Sequence, residues 1–220
     1  MVVSAGADFV EIGMPFSDPV ADGPVIQHST HVALEAGMTV RGTMELVREA
    51  QVDVPVIAFG YLNPILAYGL ERFLDDARDS GIAALLLTDL PAGEDPIMEQ
   101  AVRESSLALI RLIAPTTDPE RGRRHLADAE GFVYLISRLG VTGATTTLND
   151  TVEAGVARVR EWTDLPVALG FGIATGAQAA VAARYADGVV VGSALVECLG
   201  EGVDAGRRLM TELRSAIDAL

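Results

Sequence analysis

Short apolar runs rich in Val, Ile, Leu and Ala recur along the chain and alternate with stretches that have helical spacing. Nearly continuous apolar runs are typical of strands buried on both faces, as in a parallel sheet covered by helices. We therefore predict strands at Phe9–Gly13, Val54–Tyr61, Ile82–Thr88, Leu107–Ile113, Gly131–Ser137, Pro166–Gly170 and Asp187–Gly192.

Helices are predicted between these strands. Apolar positions within residues 70–77 follow the i, i+3, i+4, i+7 spacing of an amphipathic helix, and Gly81 is placed to end it. The Asp-Pro pairs at residues 95–96 and 118–119 have the form of a helix cap followed by proline at the first helical position. Before the first strand, residues 2–5 read as part of a helix.

This alternation, with no low-complexity linker, predicts a single βα-repeating domain over residues 1–220. An open doubly wound sheet and a TIM (β/α)8 barrel both fit such a repeat. Glycine-rich turns follow several different strands, which favours the barrel because a barrel gathers all such turns at one rim. A barrel has eight strands and only seven runs are visible, so we expect an α/β barrel that lacks its first βα unit.

The amino-acid composition excludes several classes of partner and enzyme. Sixteen basic and thirty-one acidic residues give a net charge of −15, which argues against nucleic acid and anionic membranes as partners. The chain has no lysine, which excludes Schiff-base aldolases, pyridoxal-phosphate enzymes and P-loop NTPases. The only cysteine, Cys198, excludes an intramolecular disulfide and favours the cytoplasm, and no apolar run is long enough to span a membrane.

Glu11 is a carboxylate inside an apolar predicted strand, two residues before the end of that strand. Burial would raise its pKa and prepare it as a general acid/base near neutral pH, although it could instead cap a neighbouring loop. Asp18 and Asp22 follow in a proline-rich loop, where Asx turns are the structural alternative. Because barrel-strand carboxyl ends carry catalytic groups, we favour catalysis for Glu11.

Glycine turns follow three consecutive late strands, around Gly143, Gly172 and Gly192. Glycine lets backbone N–H groups approach an oxyanion, so these turns together predict a phosphate site that needs no lysine. No metal site is expected, because His28 and His31 have no other histidine or cysteine nearby.

Five segments together resemble the tryptophan synthase alpha subunit family. The longest is EIGMPFSDPVADGP at residues 11–24, and the others are FGYLN at 59–63, YLISRLGVTG at 134–143, LGFGI at 169–173 and VGSA at 191–194. The resemblance implies a TIM barrel and a carbon–carbon lyase of tryptophan biosynthesis. Its reaction is the retro-aldol cleavage of indole-3-glycerol phosphate to indole and D-glyceraldehyde 3-phosphate.

The resemblance also assigns roles residue by residue. Glu11 and Asp22 match the catalytic carboxylates, and Thr142 would orient Asp22 when the 138–149 loop closes. The remaining matched positions are expected to bind the substrate. Those expected to line it are Phe59, Tyr61, Tyr134, Thr142 and Phe171, and those expected to bind its phosphate are Gly143, Gly172, Gly192 and Ser193. No cofactor is expected in this chain. The family implies a partner beta subunit that carries pyridoxal phosphate, in an alpha2-beta2 complex.

Members of the family carry an additional N-terminal strand and helices. We expect that the start of this sequence is misassigned and not that the protein is a degenerate form, because every catalytic motif is present. Two alternatives remain. The chain could be a non-catalytic or truncated homologue that only activates a beta subunit, or another phosphate-binding barrel enzyme of amino-acid biosynthesis.

Overall fold

A computed structural model of the chain describes residues 1–136, 148–170 and 172–220. The chain forms two compact units. The amino-terminal unit comprises residues 8–110, and the carboxy-terminal unit comprises residues 1–7 and 111–220.

The amino-terminal unit is a parallel sheet with helices between its strands. Strand β1 pairs with β2, β2 with β3, and β3 with the first half of β4. The elements in chain order are β1 (Val10–Gly13), α1 (Pro24–Glu35), α2 (Val40–Ala50), β2 (Val56–Gly60), α3 (Leu62–Tyr68), α4 (Leu70–Ser80), β3 (Ile82–Leu87), α5 (Pro96–Glu104) and β4 (Ala108–Ile113).

One face of this sheet packs on the helices. Strand residues such as Ala58 and Leu85 form a core with Met44 of α2 and with Phe73 of α4. In β1, Ile12 packs against this core. Because side chains alternate between the two faces of a strand, its neighbour Glu11 projects from the opposite face. The opposite face therefore holds the candidate catalytic side chain of β1.

The carboxy-terminal unit repeats the same design. The second half of β4 pairs with β5, β5 with β6, and β6 with β7, all in parallel. After a 3₁₀ helix at Val3–Ala5, its elements are α6 (Pro119–Leu126), β5 (Val133–Ile136), α7 (Leu148–Arg160), β6 (Val167–Gly170), α8 (Gly176–Ala183), β7 (Gly188–Val189), α9 (Ser193–Glu201) and α10 (Val203–Asp218).

The core of this unit lies between its strands and helices. Val133, Leu135 and Leu169 pack with helix residues that include Val156 and Leu213. Tyr134 lies between two of these core residues in β5, so it projects from the face that the helices do not cover.

All seven predicted strands are confirmed, and their observed ends lie mostly within two residues of the predicted ones. Strand β7 has two residues, and α9 begins four residues after it, at Ser193. The expected helix before β1 is only a 3₁₀ turn. In the part of the chain that the structure describes, no helix is both long and apolar enough to cross a membrane.

The predicted helix boundaries are also confirmed. Helix α4 ends at Gly81, whose φ of +94° is the left-handed conformation that glycine adopts readily. Asp95 and Asp118 accept hydrogen bonds from backbone N–H groups in the first turns of α5 and α6. The prediction of one domain over residues 1–220 stays a prediction.

Candidate active site

Glu11 lies in β1 on the face of the sheet away from the helices. In the strand register it lies beside Ile57 of β2, which lies beside Ala84 of β3, and Ala84 beside Ala108 of β4. The carboxyl group is therefore placed at the edge of an apolar row, with Ile57 and Ala84 buried. No neighbour in that row can hydrogen-bond it through a side chain.

This environment changes the acidity of Glu11. Its Oε1 atom is shielded from solvent and has no hydrogen-bond partner among the residues that the structure describes. Burial disfavours the charged form and raises the pKa of Glu11 from 4.5 to about 7. A carboxyl group of this kind is protonated in a large fraction of molecules near neutral pH and can either donate or accept a proton.

Asp22 lies in the loop between β1 and α1, and Tyr61 follows β2. The Tyr61 hydroxyl donates a hydrogen bond to Asp22 Oδ2 at 2.9 Å and accepts one from the Ala21 backbone N–H at 3.0 Å. Burial raises the pKa of Asp22, and the hydrogen bond from Tyr61 opposes that rise. The structure thus brings together two of the residues predicted from separate sequence motifs.

Further contacts hold the same loop. The Phe16 ring lies 5.3 Å from the Tyr61 ring, centroid to centroid, and Gln27 of α1 donates to the Asp22 carbonyl oxygen at 2.9 Å. Asp18, by contrast, is exposed, and its side chain accepts a hydrogen bond from the adjacent Ser17. The two loop aspartates therefore have different environments despite their shared motif.

Phe59 shares the sheet face of Glu11. It pairs in register with Gly13 of β1 and with Leu86 of β3, two residues beyond the row that contains Glu11. Its side chain is half-buried. It adds an aromatic surface to the same face.

Two residues that were not predicted from the sequence support Tyr61. Thr88 donates to the Gly60 carbonyl oxygen through its backbone N–H at 3.0 Å and through its hydroxyl at 3.2 Å. Asp89 Oδ1 accepts a hydrogen bond from the Leu62 N–H at 2.8 Å. The available signal was a polar pair at the carboxyl end of the strand predicted at 82–88, since parallel strands carry functional loops at that end.

In the carboxy-terminal unit, Tyr134 of β5 is 6% exposed and packs against Gly170 of β6. A Cβ atom at Gly170 would lie 2.1 Å from the Tyr134 hydroxyl oxygen, which is far closer than non-bonded atoms approach. Only glycine at residue 170 therefore permits the observed position of the tyrosine ring.

The predicted phosphate-binding residues are exposed at turns. Gly172 has a φ of +87°, which favours glycine, and Gly192 stands at the cap position before α9 with open space around it. Ser193 is the first residue of α9, a position where backbone N–H groups have no partner within the helix. Exposed backbone of this kind is suited to an anion.

Three predicted substrate-binding residues, Thr142, Gly143 and Phe171, lie outside the described residues. Among the residues that are described, no group of three or more His, Cys, Asp and Glu side chains could hold a metal ion. His28 and His31 are both exposed on α1, and His31 lies 3.3 Å from Glu35.

Comparison with known proteins gives a consistent result. The family profile described as tryptophan synthase alpha chain matches residues 1–219. A tryptophan synthase alpha chain from Acidiphilium cryptum (strain JF-5) is 48% identical over 207 residues, which cover 93% of this chain and 75% of that protein.

Solved structures are similar as well. A tryptophan synthase from Mycobacterium tuberculosis matches with a TM-score of 0.90 and 39% identity, over 98% of this chain and 83% of that one. A tryptophan synthase subunit alpha from Legionella pneumophila str. Paris matches with a TM-score of 0.90 and 34% identity, over 100% of this chain and 85% of that one. These similarities confirm the predicted α/β fold of the TIM-barrel type. Together with the sequence match over nearly the whole chain, they show that this chain belongs to the tryptophan synthase alpha chain family.

Proposed function

We propose that Glu11 is the general acid/base and Asp22 the indole N–H acceptor in the reaction of this family. That reaction is the lyase cleavage of indole-3-glycerol phosphate to indole and D-glyceraldehyde 3-phosphate. The observation that carries the assignment of Glu11 is its carboxyl group, shielded in an apolar row with a pKa raised to about 7.

The first step needs an electron sink in the indole ring. The protonated carboxyl of Glu11 donates its proton to indole C3, which converts the ring to a cationic indolenine with an N1=C2 double bond. Asp22, as a carboxylate, accepts a hydrogen bond from indole N1–H and stabilises the positive charge that develops there. The hydrogen bond from Tyr61 favours this charged form of Asp22.

The second step breaks the carbon–carbon bond. The hydroxyl on the glycerol carbon attached to C3 gives its proton to the Glu11 carboxylate, and a carbonyl forms at that carbon. The electron pair of the breaking bond forms the C2=C3 double bond, and the π pair of N1=C2 returns to N1, which gives neutral indole. Glu11 ends the cycle protonated, so the step balances without any external acid or base.

The remaining residues bind the substrate in this proposal. Phe59, Tyr61 and Tyr134 line the substrate, and the backbone at Gly172, Gly192 and Ser193 binds its phosphate. The support for the phosphate role is the exposed glycine backbone and the first-turn N–H groups of α9, which have no partner within the helix. Thr142, Gly143 and Phe171 keep their predicted roles by resemblance.

The family implies a complex with a beta subunit. We propose an assembly of two alpha and two beta chains in which the beta chain binds pyridoxal phosphate and this chain binds no cofactor. The absence of lysine from the sequence agrees with that division of labour. Cytoplasmic location stays a prediction from cysteine usage.

The activity is tested by measuring indole released from indole-3-glycerol phosphate by the full chain. We expect release by the wild type, and a loss of at least about a thousandfold in Glu11→Gln, which cannot transfer the proton. Glu45→Gln is the matched control, because Glu45 is an exposed glutamate on α2. Release that survives Glu11→Gln would overturn the role of Glu11. Activation of a beta subunit without any indole release from the wild type would favour the binding-partner alternative.

A further inference from the structure

Tyr61 stands at the cap position before α3, but its side chain does not cap the helix. It is the residue before α3, with extended backbone angles of −123° and 154°, and its side chain makes no capping hydrogen bond. Ser, Thr, Asn and Asp are favoured there because their short side chains accept from the first-turn N–H groups. The tyrosine hydroxyl instead contacts Asp22 and Ala21.

Asp89 supplies the missing cap from a different part of the chain. Its Oδ1 atom accepts from the N–H of Leu62, the first residue of α3, at 2.8 Å. Thr88, the residue before Asp89, holds the Gly60 carbonyl oxygen with two hydrogen bonds. The turn after β3 therefore fixes the backbone on both sides of Tyr61.

The fixed backbone limits where the Tyr61 hydroxyl can lie. Tyr61 is 3% exposed, and its ring packs on Phe16, so the side chain has little freedom of its own. A change in the backbone at residues 60–62 would consequently move the hydroxyl relative to Asp22. The contacts form one connected series from Asp89 through Leu62 and Tyr61 to the carboxylate of Asp22.

We propose that Asp89 is a positioning residue for catalysis, which acts through Tyr61 to orient the carboxylate of Asp22. This inference rests on the proposed function, in which Asp22 accepts the indole N–H. Because the hydrogen bond from Tyr61 opposes the effect of burial on the pKa of Asp22, loss of that bond should also make the aspartate less acidic.

The test compares Asp89→Ala, Asp89→Asn and Tyr61→Phe in the full chain, with indole-3-glycerol phosphate as substrate. We expect Asp89→Ala and Tyr61→Phe each to lower kcat about tenfold, with a smaller change in KM, and to move the acidic limb of the kcat–pH profile to higher pH. Asp89→Asn should restore most of the activity, because its side-chain oxygen can accept the same hydrogen bond. The double variant should be no worse than the more damaged single variant, because both changes remove the same function.

Asp95→Ala is the matched control for loss of a helix cap. Asp95 accepts from the Met98 N–H at 3.0 Å in the same unit but lies outside this series of contacts. We expect Asp95→Ala to lower thermal stability as Asp89→Ala does, and to leave kcat and its pH profile unchanged.

The inference would be overturned if Asp89→Ala left kcat unchanged, or if Asp89→Asn lost as much activity as Asp89→Ala. It would also be overturned if the loss of kcat in the double variant of Asp89→Ala and Tyr61→Phe equalled the product of the two single losses. A separate variant, Asp22→Asn, tests the proposed function itself, because it leaves Asp89 and Tyr61 unchanged. If Asp22→Asn retains full indole release, the role of Asp22 fails, whatever the Asp89 variants show.

Discussion

The two units of the molecule prepare their candidate functional groups in opposite ways. In the amino-terminal unit the chemistry resides in side chains, with Glu11 shielded in an apolar row and Asp22 held by the buried Tyr61. In the carboxy-terminal unit it resides in backbone, at the exposed Gly172 and Gly192 turns.

The difference follows from what each group must do. A proton donor needs a carboxyl group with a raised pKa, and burial raises the pKa of Glu11. A phosphate dianion needs several N–H groups in a space without Cβ atoms, which exposed glycine turns provide. The candidate group of the amino-terminal unit therefore depends on an apolar environment, and that of the carboxy-terminal unit depends on accessible backbone N–H groups.

Within the β1–α1 loop, the largest expected effect separates its two aspartates. Asp22→Asn should lower kcat for indole release about a hundredfold, because the amide carries no charge to stabilise the indolenine. Asp18→Asn should stay within about twofold of the wild type in the isolated chain, since Asp18 is exposed. Steady-state indole release measures both. Equal losses in the two variants would contradict the distinction.

The second expectation concerns stability and pH. A carboxyl whose pKa is raised on folding is protonated more in the folded than in the unfolded chain, so it lowers stability as pH rises from 4.5 to about 7. Glu11→Gln should therefore be more stable than the wild type by as much as about 3 kcal/mol near pH 8, and by much less near pH 5. Urea unfolding at the two pH values gives the difference. A gain that does not change with pH would mean that Glu11 is not desolvated.

The third expectation compares two glycines in the carboxy-terminal unit. Gly170→Ala should reduce the free energy of unfolding by about 2 kcal/mol, because its Cβ would collide with Tyr134. Gly192→Ala has open space around the new Cβ, so it should fold normally and raise KM about tenfold by obstructing the phosphate. Urea unfolding and substrate-dependent kinetics distinguish the two. A destabilised Gly192→Ala with unchanged KM would contradict the phosphate role.

Much of the fold could be predicted because its signals are local. Apolar runs located each strand of the described residues, and the Asp-Pro pairs located the starts of α5 and α6, where Asp95 and Asp118 cap the first turns. The shortness of β7 could not be predicted, because Val190 and Val191 continue the apolar run beyond Val189, the last residue of the strand.

The site could be predicted only in part. Glu11 stands out because a carboxylate within an apolar strand conflicts with its local pattern. Asp89 does not stand out, because its role depends on a contact with Leu62, 27 residues away along the chain. Nor does the sequence indicate that the Tyr61 hydroxyl faces Asp22, since that pairing follows from the register of β1 and β2 and the course of the intervening loop.

The most direct measurement is the titration of the Glu11 carboxyl itself. Carbon NMR of the carboxyl signals, with the Glu11 resonance assigned from its loss in Glu11→Gln, gives the midpoint in the full chain. We expect a midpoint at about pH 7. A midpoint near 4.5 would show a solvated, ionised carboxylate and would contradict the proposal that Glu11 donates the proton to indole C3.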